Sequence, residues 1–251
     1  MRNIDNLKKI AILIDADNAR ISKLKFVLEE ISTHGHIITK RAYGDWSNDS
    51  LKNWKSTLNE LAIHPVQQFA YTSGKNSTDS AMIIDAMDLL YTQKYDAFAL
   101  VSSDSDFTKL STRLKESEIF VFGVGENKTP IAFRNACDDF ILTENLGIEE
   151  EVVKDNKTTK KQENEKIDMR LKEVITLLEK AHKKNQDERG WVDVSAAGSY
   201  IKRVKPDFDV RTYGESKFTD LIKRLNSNFE TNKSKGKGTS YIIKFRPINR
   251  K

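Results

Sequence analysis

The sequence contains few residues that could cross-link the chain or bind a soft metal. Its 251 residues include one cysteine, Cys137, and four histidines. A single cysteine excludes an intrachain disulfide and is typical of proteins in a reducing cytoplasm. The cysteine and histidines lack the spacing of a zinc site, so a bound metal would have to be held by carboxylates. We expect Cys137 to be a small buried hydrophobe rather than a nucleophile, because no histidine lies near it in the sequence.

Long hydrophobic runs are also missing. No stretch approaches the roughly 18 apolar residues of a membrane span, and the first residues lack the apolar run of a signal peptide. Hydrophobic residues make up 38% of the chain and charged residues 31%, which is typical of a soluble globular protein with a polar surplus. We therefore expect a cytoplasmic protein with no membrane partner.

The two parts of the chain carry opposite charge. Residues 1–150 hold 17 lysines and arginines against 22 aspartates and glutamates, a net charge of −5, whereas residues 151–251 hold 25 against 15, a net charge of +10. An acidic part joined to a basic part indicates that the two parts have different functions. The charge of the basic part favours an anionic polymer as its partner. The alternative is an ordinary lysine-rich surface in contact with solvent.

Residues 8–145 alternate short apolar runs with helical patterns, the rhythm of βαβ units with a mostly parallel sheet. We predict an α/β, Rossmannoid domain from this pattern. The predicted strands are Ile10–Ile14, Ile37–Ala42, Val66–Tyr71, Ala97–Ser102, Ile119–Val124 and Phe140–Leu142. The predicted helices lie near Ala19–Ser32, Ser50–Ala62, Thr78–Tyr91, Phe107–Ser117 and Pro130–Asn135, and the third of them is expected to bury Ala81, Ile84, Ala86 and Leu89.

A polar stretch at residues 149–166 has the composition of a linker, and a second domain is predicted over 167–247. An amphipathic helix begins at Ile167, a second fits Val194–Val204, and a third carries an apolar face from Phe218 to Phe229. A glycine- and lysine-rich segment and a strand of alternating apolar residues follow. Three helices and a hairpin predict a small winged-helix domain, in which we expect Trp191 to be a core residue.

Clustered carboxylates follow two of the predicted buried strands. Asp15 comes at the end of the first strand, with Asn18 beside it, and Asp104 and Asp106 follow the fourth. Asp79 lies in the first turn of a helix that can pack beside both. The carboxyl ends of parallel strands are where open α/β sheets keep their sites. Several carboxylates at one place repel each other unless a hard divalent cation neutralises them.

These residues predict a Mg²⁺ or Mn²⁺ site that acts on a phosphodiester. We take Asp15, Asp79, Asp104 and Asp106 as candidate metal ligands and catalytic residues, and Asn18 as a donor that orients water or phosphate. Helix capping is the alternative for Asp79 and Asp106 taken singly. Asp17 stays open between a ligand and a loop residue, and Asp85 and Asp88 are expected on a helix surface.

The motifs resemble the NYN domain, a branch of the PIN-like nucleases. The similarity rests on Ile-Asp-Ala-Asp-Asn at residues 14–18, on Asp79 after Lys-Asn-Ser-Thr, and on Ser-Asp-Ser-Asp-Phe at residues 103–107. Ala16 and Ser103 stand where many relatives have glycine, and neither change removes a carboxylate. The resemblance implies a parallel-sheet fold and a metal-dependent ribonuclease with an acidic pocket at Asp15, Asp79, Asp104 and Asp106.

The basic part resembles an OST-HTH/LOTUS domain, chiefly through Tyr-Gly-Glu-Ser-Lys-Phe at residues 213–218, with Trp191 before it and Tyr241 to Phe245 after it. That resemblance implies a winged-helix module that binds RNA, including structured or guanine-rich RNA. With the apolar face of the third helix in the core, basic residues remain for phosphates and one tyrosine for base stacking. The candidate RNA contacts are Arg211, Tyr213, Lys217, Lys223, Arg224, Lys233, Lys235 and Lys237.

Two other functions compete with a ribonuclease that hydrolyses RNA phosphodiester bonds. One is a non-catalytic RNA-binding adaptor whose acidic pocket is vestigial. For the basic domain alone, a protein-binding surface is the alternative to RNA binding. The other is a phosphatase of the haloacid dehalogenase type, which would use Asp15 of the Asp15-Ala-Asp17 motif as a covalent nucleophile. The later motifs fit that phosphatase family poorly.

Overall fold

The computed structural model describes residues 9–69, 77–147, 160–235 and 241–248. The chain divides into two compact units, Met1–Glu150 and Glu151–Lys251. Among the described residues, no helix is both long and apolar enough to span a bilayer.

Among its described residues, the first unit contains a six-stranded sheet of parallel strands, which confirms the predicted α/β class. The strand order is β3-β2-β1-β4-β5-β6, so the chain reverses its direction of travel across the sheet between β1 and β4. That neighbouring pair marks the crevice where doubly wound sheets bind ligands. The strands are β1 Lys9–Asp15, β2 His36–Gly44, β3 His64–Gln67, β4 Ala97–Val101, β5 Phe120–Gly125 and β6 Asp139–Leu142.

Five helices among the described residues of this unit cover the two faces of the sheet, and each face has its own core. Because side chains alternate along a strand, Ile10, Ile12 and Ile14 of β1 pack against α1 and α2. Ala11 and Leu13 point to the opposite face, where α3, α4 and α5 pack. The same alternation directs Asp15 towards α3, α4 and α5. The helices are α1 Leu24–Ser32, α2 Trp54–Glu60, α3 Ser77–Tyr91, α4 Thr108–Glu116 and α5 Ile131–Ala136.

Some predictions for this unit were wrong. The third strand begins two residues early, at His64, and ends at Gln67, while residues 70 and 71 lie outside the described part. Ile84 is exposed instead of buried, because it lies two positions from both Met82 and Ala86, on the far side of α3. Asp85 is not simply a surface residue: it accepts hydrogen bonds from Arg41 and from the hydroxyl of Tyr43.

The part of the second unit that the structure describes combines three helices with a small antiparallel sheet of order β7-β9-β8, in agreement with the predicted winged helix. Its core includes Leu178, Ile201, Leu221, Phe229 and Phe245. The elements are α6 Lys160–Asn185, β7 Val192–Asp193, α7 Val194–Val204, α8 Phe218–Arg224, β8 Phe229–Lys235 and β9 Tyr241–Pro247.

Three details of this unit differ from the sequence prediction. Helix α6 begins at Lys160, inside the predicted polar linker, because residues 160–166 are mostly strong helix formers. Helix α8 ends at Arg224 and Phe229 begins a strand, since Asn226 to Asn228 favour a turn. Trp191 is only half-buried, and the guanidinium carbon of Arg246 lies 4.5 Å from its ring centroid.

Candidate functional site

Asp15 lies at the carboxyl end of β1 and is completely buried. Its Oδ2 accepts hydrogen bonds from the hydroxyl of Ser102 at 2.7 Å and from Nδ2 of Asn18 at 2.9 Å. Its Oδ1 accepts from the backbone N–H of Asp17 at 3.2 Å. Burial raises the pKa of the Asp15 carboxyl, and the donors Ser102 and Asn18 oppose that rise by favouring the charged form. These hydrogen bonds therefore hold the Asp15 carboxylate in place.

Asp104 and Asp106 lie on the loop that follows β4. The backbone N–H of Asp104 donates to Oγ of Ser102 at 3.0 Å, and Oδ1 of Asp104 accepts from the N–H of Asp106 at 2.9 Å. Asp104 thereby caps the 3₁₀ turn Ser105–Phe107, whose last residue is fully buried and anchors the loop. Capping and a role in the site do not exclude each other here, because the second carboxylate oxygen of Asp104 takes no part in the cap.

Three carboxylates converge at this edge of the sheet. One ligand oxygen from each of Asp79, Asp104 and Asp106 lies within 4.8 Å of the other two. Asp79 is only 9% exposed. Burial raises its pKa to about 6, and the neighbouring charges of Asp15, Asp104, Asp106 and Asp17 add to the rise. The site therefore holds more negative charge than its surroundings compensate.

The donor set fits a hard divalent cation. All three groups offer carboxylate oxygen, the ligand that Mg²⁺ and Mn²⁺ prefer, and a cation would relieve the repulsion that raises the pKa of Asp79. Asp15 is not one of the three. Its buried carboxylate accepts hydrogen bonds from Ser102 and Asn18, and its charge contributes to the raised pKa of Asp79.

Ser102 is the residue of this site that sequence reasoning missed. Its buried hydroxyl donates to Asp15 and accepts from the backbone of Asp104, so it joins the ends of β1 and β4. The only sequence signal was its place at the end of a predicted buried strand, before two candidate aspartates.

Glu126 is another buried carboxylate at the end of this sheet, in the loop after β5. Burial would raise its pKa, but ion pairs with Arg20 and with Lys128 outweigh burial and lower it. Its charge is already compensated within the protein, which distinguishes it from Asp79.

Cys137 is buried and its pKa is raised to about 12, first of all by desolvation. Its sulfur lies 3.4 Å from Oγ of Ser111 and donates to the carbonyl of Phe133 at 3.3 Å. A thiol with such a pKa is not a nucleophile at neutral pH.

The predicted RNA contacts of the second unit differ widely in their surroundings. Tyr213 is 3% exposed and packs against Phe208, so its assignment as a base-stacking residue was wrong. The reason is that the 3₁₀ turn before Gly214 directs the tyrosine into the core. Of the other candidates, Lys235 lies in β8 and Lys237 lies outside the described residues.

Most cations next to α8 already have anionic partners. Arg211 makes a bidentate pair with Asp209, Lys223 pairs with Asp220 at 2.8 Å and Arg224 with Glu215 at 3.6 Å. Lys217 and Lys233 are exposed, and neither forms an ion pair within the described part of the chain. The third helix is therefore less available to phosphate than its sequence indicates.

Comparison with known proteins gives two domain matches. The family model of the NYN domain matches residues 9–149, and that of the OST-HTH/LOTUS domain matches residues 164–241. Both matches confirm the resemblances found in the sequence motifs. No curated protein matches the chain.

Solved structures give weaker likenesses. A protein of unknown function from Vibrio parahaemolyticus is 21% identical with a TM-score of 0.46, over 57% of this chain and 96% of that one. An uncharacterized protein from Nitrosomonas europaea is 27% identical with a TM-score of 0.29, over 31% of this chain and 74% of that one. The UDP-GlcNAc 2-epimerase of Methanocaldococcus jannaschii is 14% identical with a TM-score of 0.36, over 58% of this chain and 43% of that one. All three scores lie below 0.5, so the domain matches alone carry the assignment.

Proposed function

We propose that this chain, which belongs to the NYN domain family and carries a C-terminal OST-HTH/LOTUS domain, is a metal-dependent ribonuclease that hydrolyses RNA phosphodiester bonds. The two domains together support a nuclease-like, RNA-associated function. In the proposal, residues 1–148 cleave RNA, residues 149–159 link the domains, and residues 160–247, which begin with helix α6, bind RNA, including structured or guanine-rich RNA. A cytoplasmic setting fits the single cysteine.

The observation that carries the proposal is the convergence of Asp79, Asp104 and Asp106 within 4.8 Å at the crossover of the sheet. These residues would hold Mg²⁺ or Mn²⁺. When bound, the ion supplies an activated water and neutralises charge on the scissile phosphate. Asp104 and Asp106 belong to one capped 3₁₀ turn anchored by Phe107, and Asp79 lies on a helix, so regular backbone structure positions the three carboxylates.

The remaining residues of the site would position these ligands. Asp15 accepts from Ser102, and Ser102 in turn accepts from the N–H of Asp104, so the buried aspartate holds the loop that carries two of the three carboxylates. Outer hydrogen bonds of this kind fix the orientation of ligand groups. Asn18 donates to Asp15 through Nδ2, which leaves its amide oxygen for a water or a ribose hydroxyl.

The basic domain would supply affinity for the substrate. An acidic pocket repels phosphate wherever a cation does not compensate it, so binding energy must come from elsewhere. The net charge of +10 over residues 151–251 supports that role, because lysine and arginine gain affinity for RNA through counterion release. A tethered binding module also raises the local concentration of substrate at the cleaving domain.

Two alternatives remain to be separated by experiment. A non-catalytic adaptor would bind RNA without cleaving it. A phosphatase with Asp15 as covalent nucleophile is disfavoured because Asp15 is completely buried and its carboxylate oxygens accept three hydrogen bonds.

The test is an activity assay on the full chain with end-labelled RNA and, in parallel, a chromogenic phosphomonoester, each with Mg²⁺, with Mn²⁺ and with EDTA. We expect RNA cleavage that requires the metal and no release of phosphate from the monoester. RNA binding without cleavage under all conditions would favour the adaptor, and monoester hydrolysis would favour the phosphatase.

A further inference from the structure

Tyr241 is an exposed aromatic residue in the basic unit. It begins β9 at the distal end of the β8–β9 hairpin and is 57% exposed, whereas Tyr213, the tyrosine predicted to stack on a base, is 3% exposed. A tyrosine ring in contact with water loses the benefit of burying apolar area. Because this domain carries a net positive charge, the exposed ring is available to an anionic ligand with a flat face.

The register of the hairpin explains why Tyr241 protrudes. Phe245, Ile243 and Tyr241 alternate along β9 and so share one face of the sheet. Along that face burial falls steadily: Phe245 is fully buried, Ile243 is partly buried against the core, and Tyr241 extends past it. The core-facing side of the hairpin therefore extends past the buried core, and the ring of Tyr241 lies on that exposed extension.

A cation lies against this ring. Nζ of Lys233 is 4.0 Å from the ring centroid of Tyr241, a cation–π distance. Lys233 is opposite Ile243 in the ladder, one diagonal step from Tyr241. No carboxylate pairs with Lys233 among residues 160–235 and 241–248, whereas Lys223 and Arg224 on α8 both have acidic partners. A phosphate approaching Lys233 would thus displace no acidic partner that the structure describes.

We propose that Tyr241 and Lys233 form a stacking site for an unpaired nucleobase of RNA, with the base on the exposed face of the ring and the ammonium group beside the flanking phosphate. The site rests on the proposed RNA binding of this domain and deepens it. It moves the main contact from the third helix to the hairpin, and it selects single-stranded segments, because a base in a duplex offers no free face. Base–aromatic stacking is tolerant of sequence, so the site would select unpaired RNA rather than a particular base.

The experiment measures binding of a short labelled single-stranded RNA, and of the same strand fully paired with its complement, to the full chain in EDTA at several salt concentrations. We expect Tyr241→Ala to weaken single-strand binding by about 5- to 150-fold while leaving the salt slope unchanged, and Tyr241→Phe to bind like the wild type. Lys233→Ala should reduce the salt slope by about 0.7. The matched control is Tyr91→Ala, which removes an exposed tyrosine of the first unit and should change nothing.

The outcomes separate this site from the proposed function. If the wild type binds RNA and Tyr241→Ala binds equally well, the stacking site is wrong and RNA binding stands. Equal losses in Tyr241→Ala and Tyr241→Phe would show that the hydroxyl matters and would also overturn stacking. If the wild type binds neither RNA even at low salt, both the site and RNA binding by this domain fail, and the hairpin becomes a candidate for docking a protein. Unchanged circular dichroism for each variant excludes unfolding as the cause of a loss.

Discussion

Replacing Asp79 by asparagine should stabilise the metal-free protein while it removes the proposed activity. Asp79 is nearly buried, and burial together with neighbouring carboxylates raises its pKa from 3.8 to about 6. In the unfolded chain the same group ionises near its ordinary value, so the folded state binds its proton more tightly. The group therefore contributes fully to stability below about pH 4, and that contribution is lost as the pH rises through about 6.

The pKa difference sets the size of the effect. Each pKa unit corresponds to about 1.4 kcal/mol, so the ionised Asp79 costs the folded state about 3 kcal/mol at neutral pH. An asparagine of similar shape avoids this cost. For a domain of this size the melting temperature should rise by about 5 to 10 °C. Below about pH 4.5 the wild-type carboxyl is largely protonated in the folded state, and the advantage of the variant should shrink towards zero.

The assay is thermal or denaturant unfolding in EDTA, followed by tryptophan fluorescence in a Trp191→Phe background, so that the signal comes from Trp46 and Trp54, which pack together in the first unit. The difference between Asp79→Asn and the wild type is measured at about pH 7.5 and again at about pH 4.5. The matched control is Asp88→Asn, which neutralises an exposed carboxylate of the same helix and should gain little. A variant less stable than the wild type at neutral pH, or a gain that persists at acid pH, would refute the reasoning.

Three further predictions test other parts of the site and of the basic unit. Ser102→Ala breaks the hydrogen-bonded bridge between Asp15 and Asp104 and should lower the cleavage rate by about 10- to 100-fold at saturating Mn²⁺. A wild-type rate would show that the bridge is dispensable. Cys137→Ala should retain the cleavage rate, and loss of activity at an unchanged melting temperature would contradict the buried, unreactive thiol. Changing Lys217 and Lys233 together to alanine should reduce the salt slope of single-stranded RNA binding by about 1.4. Lys223→Ala should reduce the slope less, because Lys223 is already paired with Asp220. Equal effects would mean that the internal ion pairs do not compete with phosphate.

The sheet could be predicted from the sequence because its central strands are nearly continuous apolar runs. Ile10 to Ile14 and Ala97 to Val101 are completely or almost completely buried, and only a two-sided core produces such a run. The carboxylates that follow these two strands were brought to one edge because parallel neighbours end at the same side. The prediction of the acidic edge thus needed only the parallel direction of the strands, whereas the fold shows that β1 and β4 are neighbours.

The sequence could not predict which role each polar side chain of the site has. Hydrogen bonds between residues distant in sequence, such as Ser102 to Asp15, carry no periodic signal, so the grouping of Asp79, Asp104 and Asp106 apart from Asp15 emerged only from the fold. Tyr213 illustrates the same limit. Its place before a third helix suggests exposure, but Tyr213 ends a 3₁₀ turn and packs against Phe208 in the core.

The rate of metal-dependent RNA cleavage by the full chain and its carboxylate variants tests the central claim most directly. In single-turnover reactions with Mn²⁺, Asp79→Asn and Asp104→Asn should each cleave at least about 100-fold more slowly than the wild type, because each removes a charged oxygen ligand from the cluster. Asp88→Asn, purified in the same way, should cleave at the wild-type rate, and EDTA should abolish cleavage. Wild-type rates in both cluster variants, or cleavage that EDTA does not affect, would contradict the assignment of this site as a metal-dependent ribonuclease centre.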